Sequence, residues 1–195
     1  MADNKTRSFT ATLQIAESPV NSLDCLCTGP VSLVTPTEVP GYAIEGAHAL
    51  GMLSGTDEDW QHGQDFGLVP FDKGDQCAML LYFRYSDAGY RLYVRSGPHF
   101  GKGIFTTAEG LVAAQAIEAQ DPSLWNLVDA QTGARFALAE LEDDRREIQM
   151  IASNGHPMEF HNLYPVGGFL ACYPAAQQCT LSLLITQRGV DWLNS

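Results

Sequence analysis

The side chains best suited to ligand chemistry are concentrated in the segment SGTDEDWQHGQDF, residues 54–66. This segment supplies carboxylates, an indole and an imidazole, from Asp57, Asp59, Trp60, His62 and Asp65. A pyranose stacks its C–H face on an aromatic ring while carboxylates accept hydrogen bonds from its hydroxyl groups. We therefore predict a polar loop that binds sugar. A solvated acidic loop and a calcium site are the alternatives, although the spacing differs from that of an EF-hand.

Two histidines occupy matching positions elsewhere in the chain. His99 in SGPHF and His156 in SNGHPM each lie three residues after a serine that ends an apolar run. If the chain contains repeats, equivalent loops repeat a binding site, so we add both histidines to the candidate ligand-binding residues. Turn histidines chosen for local hydrogen bonds are the alternative. His156 and His161 do not predict a metal site, because Pro157 between them disfavours convergence of the two imidazoles.

The five cysteines do not indicate a disulfide framework or a zinc ribbon, because their number is odd and no CxxC pair occurs. We expect reduced thiols, most of them buried. A nucleophilic cysteine needs a histidine within reach and a lowered thiol pKa. Cys27 with His48 or His62 is the candidate pair for such chemistry. Core packing is predicted for the remaining apolar positions, Cys77, Cys172 and Cys179.

Catalytic signatures are absent from the sequence. It contains no GxSxG, no HExxH and no Walker loop, so we assign no catalytic residue and no cofactor. The glycine-rich stretch LYVRSGPHFGKG is a weak phosphate signal, since no helix is predicted after it. A hairpin is the better interpretation of this stretch.

The composition limits partners and location. With 11 basic and 23 acidic residues the formal charge is −12, which repels phosphate backbones and anionic lipid headgroups. Nucleic acid and membrane are therefore not predicted as partners, and the plainer role of the charge is solubility. MADNKTRSFTATLQIAES lacks a long apolar run, and no stretch reaches the roughly 18 apolar residues of a membrane span. We expect a soluble protein without a visible signal peptide, cytoplasmic or exported by a non-Sec route.

The sequence predicts that short strands position these residues. Runs such as FTATLQI, AMLLYFRY, YRLYVRS, EIQMIAS and CTLSLLI are rich in β-branched and aromatic residues and are separated by Gly, Pro, Asn and Asp. This spacing predicts an all-β sandwich or barrel rather than alternating β and α units.

Three segments share one order of elements. Each begins where an apolar strand ends in Ser and Gly, at 52–55, 94–97 and 151–155. A glycine with an apolar pair follows, at 67–69, 110–112 and 168–170. A third apolar element then begins, at Met79, Leu124 and Leu181. Ordinary meander spacing is the alternative to a true repeat, but three units are too few for a propeller.

Three units of four short strands resemble a β-trefoil, over residues 41–190. SLWNLVDAQTGARFAL, with an aromatic residue in a strand and a polar turn, is similar to a seam between trefoil repeats. The chain lacks the repeated Gln-x-Trp of ricin-type lectins. We predict an all-β fold, a β-trefoil with pseudo-threefold repeats, in which residues 41–195 are the main domain and residues 1–40 are an N-terminal arm. A β-sandwich is the alternative.

The resemblance implies a six-stranded barrel capped by three hairpins, a fold shared by lectins, protease inhibitors, actin-bundling proteins, growth factors and toxin binding domains. On this basis we expect a non-enzymatic protein that binds carbohydrate or glycoprotein through its loops. A protein-binding module, such as a protease inhibitor or the receptor-binding part of a toxin or effector, is the alternative. A cysteine-dependent hydrolase or deamidase is the third possibility.

One stretch tests the fold directly. GLVAAQAIEAQDPSLWNLV, residues 110–128, has the composition of a helix, and Thr106 with Glu109 form a capping-box pattern. The repeat instead predicts strand, loop and strand, with Trp125 sharing a core with Leu80 or Leu81 and with Leu183. A helix over 108–120 would break the repeat.

Overall fold

The computed structural model describes residues 4–34, 41–173 and 177–191. Its helices are short: α1 (Asn4–Arg7), α2 (Leu23–Leu26) and α3 (Asp57–Asp65), with 3-10 turns at Gly97–His99 and Leu138–Glu140. Across these described ranges, none of the helices has the length and apolar character needed to cross a membrane.

The rest of the regular structure is β-strand, and the predicted all-β class is confirmed. In chain order the strands are β1 (Phe9–Ile15), β2 (Ser18–Pro19), β3 (Asn21–Ser22), β4 (Cys27–Thr28), β5 (Ser32–Val34), β6 (Ala43–Glu45), β7 (Leu50–Leu53), β8 (Asp72–Lys73), β9 (Leu81–Ser86), β10 (Gly89–Val94), β11 (Gly103–Thr106), β12 (Val112–Gln115), β13 (Leu124–Asp129), β14 (Arg145–Ala152), β15 (Glu159–Leu163), β16 (Gly167–Ala171), β17 (Gln177–Gln178) and β18 (Leu181–Arg188).

Some of these strands close into an antiparallel barrel. Around the ring they follow chain order, β1, β9, β10, β13, β14 and β18, and β1 closes it by pairing with both β9 and β18. Alternate side chains point inward and fill the interior, as the pleat of a strand requires. Phe9, Leu92, Trp125, Met150 and Leu183 are all fully buried in this core.

The chain leaves the barrel between consecutive ring strands in three places. The first excursion runs from β2 to β8, the second is the hairpin of β11 and β12, and the third comprises β15, β16 and β17. Strands of the first and third excursions combine in a second sheet with the order β17-β15-β16-β7-β3. Single bridges join the hairpin to this sheet, Ala49 to Ala113 and Leu111 to Ala171.

A second core lies under this second sheet. Leu23, Trp60, Phe71, Val166 and Phe169 are buried there, so α2 and α3 are attached to the sheet through their apolar faces. The molecule therefore has a barrel core and a smaller core beside it, and the single bridges of the β11–β12 hairpin lie between them.

The prediction for residues 110–128 is confirmed. Strand β12 is followed by a loop and by β13, and no helix forms in this stretch. Trp125, Leu81 and Leu183 belong to one core cluster, as the pattern predicted. Tertiary pairing overrides the helix propensity here, because β12 obtains its backbone hydrogen bonds from β11.

The segment 54–66 is a correction to the sequence interpretation, because it is mostly helix α3 rather than a loop. Thr56 caps the helix in a capping box with Asp59, and the acidic residues of the first turn are favourable at the positive end of the helix dipole. Gly63 is needed on the buried face, since a Cβ there would lie 2.8 Å from a methyl carbon of Val69. The acidic run therefore starts a helix.

The three similar segments are not equivalent in the structure. Ser96 and Ser153 follow the ring strands β10 and β14, whereas Ser54 follows β7 of the second sheet. The first excursion starts from the ring strand β1. This strand lies within residues 1–40, which the sequence predicted as an N-terminal arm. Ser and Gly end strands of any kind, so the Ser-Gly pattern does not identify the barrel strands.

Candidate functional site at the junction of the two sheets

Trp60 does not present an aromatic face to solvent. Its side chain is buried, with its ring edge against Phe71 and its indole Nε1 donating a hydrogen bond to the Ser54 carbonyl at 3.0 Å. The sequence predicted a sugar-stacking ring at this position. The structure uses the ring to attach α3 to the second core.

The polar residues of α3 are engaged within the helix. Asp59 accepts hydrogen bonds from the Thr56 backbone at 2.7 Å and from its hydroxyl at 2.9 Å, and these bonds lower the pKa of Asp59. Asp65 accepts from Gln61 at 2.8 Å, and the His62 ring packs on Phe66. Asp57 is exposed in the first turn. The buried Trp60 ring is therefore separated from solvent, whereas Asp57 is exposed and Asp59 and Asp65 accept hydrogen bonds from neighbouring residues.

The two matching histidines lie in different environments. His156 is exposed in a turn, where its backbone N–H donates to the Asn154 side chain at 3.0 Å. His99 is only 4% exposed and lies in the 3-10 turn after β10. The structure therefore joins His99 to a different set of residues from those that the sequence predicted.

The partners of His99 are Asp24 and Lys102. Nε2 of His99 lies 2.9 and 2.8 Å from the two carboxylate oxygens of Asp24, and Nδ1 lies 2.9 Å from Nζ of Lys102. Ser22 Oγ donates to the same carboxylate at 2.6 Å. Partial burial opposes ionisation of Asp24, but the hydrogen bonds from Ser22 and His99 outweigh it and lower the Asp24 pKa.

His48 completes the cluster. Its ring meets the ring of His99 edge-on at 4.9 Å, and its Nε2 lies 4.0 Å from Oδ2 of Asp24. Burial lowers the pKa of His48, and the nearby charge of Lys102 lowers it further against the opposing charge of Asp24. One nitrogen or oxygen from each of Asp24, His48 and His99 lies within 4.8 Å of the other two.

Backbone hydrogen bonds explain why these residues meet. The N–H groups of Leu23 and Asp24 donate to the carbonyls of Ala49 and Ala47, both at 2.9 Å, which hold α2 beside His48. The His48 carbonyl accepts from Ala114 of β12 at 3.0 Å, so the same segment is also tied to the hairpin. The cluster therefore forms where the first excursion contacts the second.

The cysteines near the cluster are not activated. Cys27 is buried, its Sγ donates to the Leu23 carbonyl at 2.8 Å, and burial with the charge of Asp24 raises the pKa of its thiol to about 11. Burial also raises the pKa of Cys25. A nucleophilic thiol needs the opposite shift, so the geometry does not support the cysteine-dependent hydrolase. Cys77, predicted in the core, is exposed, whereas Cys172 and Cys179 are buried as expected.

A cleft of about 320 Å³ opens beside His48. Its polar lining consists of Glu45, His48, Thr107, Glu109 and Gln115. Its apolar lining is aliphatic, from Ile44, Ala49, Leu111 and Ala113. Ligand sites typically occupy about 300–1,000 Å³ and are mostly apolar, so this cleft lies at the lower end of that range and its more polar lining suits a small polar ligand.

Tyr173 and His161 each carry a buried polar atom that has no hydrogen-bond partner among the described residues. The hydroxyl of Tyr173 and Nε2 of His161 are both unpartnered, and the two rings contact each other edge-on at 5.6 Å. The Tyr173 ring packs against Gly110, where a Cβ would lie 2.5 Å from Cε1. Burial raises the pKa of Tyr173, and the Glu109 charge raises it further. Buried polar groups are normally satisfied, but Gln76 Oε1 and Trp125 Nε1 are also unpartnered in the described part of the chain, so this feature does not by itself mark a site.

Sequence reasoning missed most of this site. The sequence gives no signal for Asp24, Glu45 or Glu109 as ligands, and it indicates His48 only as a partner for Cys27. These residues are brought together by long-range backbone contacts, and no local spacing signals them. The one available clue was His99 in the turn SGPHF.

Comparisons with protein-family models, with curated proteins and with solved structures give no significant match. We therefore infer function from the geometry of this chain.

Proposed function

We propose that the protein is a non-enzymatic recognition protein that binds a small hydroxyl-rich ligand of the carbohydrate class in the cleft beside His48. The observation that carries the proposal is the lining of the cleft, in which several hydrogen-bond acceptors surround an aliphatic floor. The ligand class is the one expected from residues 54–66, but the proposed binding residues are different.

The polar groups of the cleft suit a ligand with several hydroxyl donors. Carboxylates accept hydrogen bonds at both oxygens, and the Gln115 amide both donates and accepts. One oxygen of Glu45 already accepts from the Ala47 N–H at 3.0 Å, which holds the carboxylate in place and leaves its second oxygen for a ligand. The aliphatic floor contacts the C–H groups of a sugar ring, a weaker interaction than aromatic stacking.

The charges that line the cleft restrict the kind of sugar expected to bind. Glu45 and Glu109 both line the cleft, and the lowered pKa of His48 favours its neutral form at neutral pH. A ligand carboxylate placed here would be repelled, whereas an ammonium group would be attracted. We expect amino sugars to bind more tightly than neutral sugars, and uronic acids to bind most weakly.

We also propose that the fold is a β-trefoil. The six ring strands follow chain order, and each excursion begins from one ring strand and returns to the next, which gives the units β1 to β9, β10 to β13 and β14 to β18. The long first excursion, with α2, α3 and several short strands, departs from a simple hairpin. Because one fold supports many functions, the cleft and not the fold carries the functional proposal.

The test is a calorimetric titration of the protein with glucosamine, glucose and glucuronic acid. Glu109→Gln should reduce the preference for glucosamine, because it removes one of the two carboxylates of the cleft and keeps the shape. Glu118→Gln is the matched control, since Glu118 is exposed and lies outside the cleft lining. Absence of binding to all three sugars, or equal loss in both variants, would refute the proposal. Binding to another protein that survives excess sugar would instead favour a protein-binding module.

A further inference from the structure

We infer that Asp24, His48 and His99 form a binding site for a divalent transition-metal ion, with zinc as the best fit. Their ligand atoms lie within 4.8 Å of one another. A metal ion with bonds of about 2.0–2.2 Å to nitrogen and oxygen fits between atoms at such separations after small side-chain movements. This inference does not depend on sugar binding in the cleft.

The donor set selects the class of metal. Imidazole nitrogens suit zinc and the neighbouring transition metals, whereas calcium and magnesium prefer a full set of oxygen ligands. Two histidines and one carboxylate are three protein ligands, a number typical of sites that keep further positions for water or another molecule. His48 also lines the cleft, so the ion would lie at one end of the cleft.

Without metal, hydrogen bonds fix the wrong tautomer of His99 for coordination. The Lys102 ammonium donates to Nδ1, so the neutral ring carries its proton on Nε2 and donates it to Asp24. Coordination through Nε2 requires that proton to move to Nδ1, and the Lys102 ammonium must then turn away. The ring keeps a single proton throughout, and the Asp24 carboxylate exchanges its hydrogen bond for a bond to the metal.

Lys102 therefore opposes metal binding in two ways, by its positive charge and by its hydrogen bond to Nδ1. Lys102→Gln removes the charge and supplies an amide oxygen that accepts from a protonated Nδ1. The inference predicts that this variant binds zinc several-fold more tightly than the wild type. A purely structural role for the histidine pair predicts no such gain.

The experiment is calorimetric titration of the metal-free full chain with zinc, repeated with cobalt and monitored by visible absorption. We expect one ion per chain and a ligand-field spectrum without thiolate-to-cobalt charge transfer. His48→Ala should weaken binding by about tenfold or more. This side chain is 53% exposed, so the variant is expected to fold.

Matched controls separate this site from other metal-binding groups. His156→Ala removes an exposed histidine outside the cluster and should leave the affinity unchanged. Cys25→Ser tests the neighbouring thiol and should also leave it unchanged. The inference is overturned if the wild type binds no stoichiometric zinc, if His48→Ala binds as tightly as the wild type, or if Cys25→Ser abolishes binding.

Discussion

At the scale of single residues, Asp129 shows how a polar side chain organises a turn. Its carboxylate accepts from the backbone N–H groups of Gln131 and Thr132 at 3.0 and 2.7 Å and from the Thr132 hydroxyl at 2.9 Å. Arg146 donates to its other oxygen at 2.6 Å. The bonds from Thr132 and Arg146 lower the pKa of Asp129 to about 2. The carboxylate is therefore more stable in the folded chain than in the unfolded one.

Because folding lowers the pKa of Asp129, its ionised carboxylate stabilises the fold at pH values above its unfolded pKa of 3.8. This stabilisation is lost as the pH falls through the folded pKa of about 2. Asp129→Asn should lower the melting temperature at pH 7, and the difference from the wild type should shrink as the pH falls from about 4 towards 2. Thermal unfolding followed by circular dichroism at a series of pH values measures this. Asp121→Asn, at an exposed position, is the control and should change the melting temperature little. A difference in melting temperature between Asp129→Asn and the wild type that does not vary with pH would contradict the lowered pKa of Asp129.

At the scale of elements, helix α3 depends on its capping box. The Thr56 hydroxyl accepts from the Asp59 N–H at 3.2 Å, and the Asp59 carboxylate accepts from the Thr56 N–H. Thr56→Ala should lower the free energy of unfolding by about 1 kcal/mol, because the first turn loses its side-chain acceptor. Urea unfolding measures this loss.

Thr56→Ser retains the hydroxyl and is the matched control for the capping interaction. It should recover most of the stability that Thr56→Ala loses. If Ser and Ala variants were equally destabilised, packing of the threonine methyl group rather than capping would explain the effect.

At the scale of the whole molecule, the barrel depends on a strand near the amino end of the chain. Phe9 of β1 stacks on Phe83 at 4.7 Å and meets Tyr90 edge-on at 5.4 Å, and it is fully buried. Phe9→Ala should therefore lower the free energy of unfolding by about 3–5 kcal/mol, measured by urea titration. Phe66→Ala, the same change at a side chain that is 69% exposed, should cost far less.

If Phe9→Ala does not fold, Phe9→Leu is a milder substitution that tests the same contact. Phe9→Leu keeps an apolar side chain at the position and should cost about 1 kcal/mol. If both Phe9 variants were as stable as Phe66→Ala, β1 would behave as an accessory arm and not as a member of the ring.

Much of the fold follows from local pattern. Trp125, Leu81 and Leu183 were expected in one core, and the structure places them there, because strand periodicity and apolar composition are properties of short segments. The helix α3 was missed although Thr56 and Asp59 carry a capping signal, since the acidic composition suggested solvent exposure and a loop. The division into an arm and a main domain stays a prediction, and β1, which lies within residues 1–40, pairs with strands far along the chain.

By itself the sequence determined the all-β class, the identity of most core strands and the strand character of residues 110–128. Tertiary structure decided the closure of the barrel and the composition of the site. Thr10 and Thr186, whose hydroxyls are 2.8 Å apart, are 176 positions apart in the chain. Asp24, His48 and His99 similarly come from separate segments. The register between distant strands depends on hydrogen bonds and packing contacts across the whole assembled fold. Local residue patterns therefore do not predict this register.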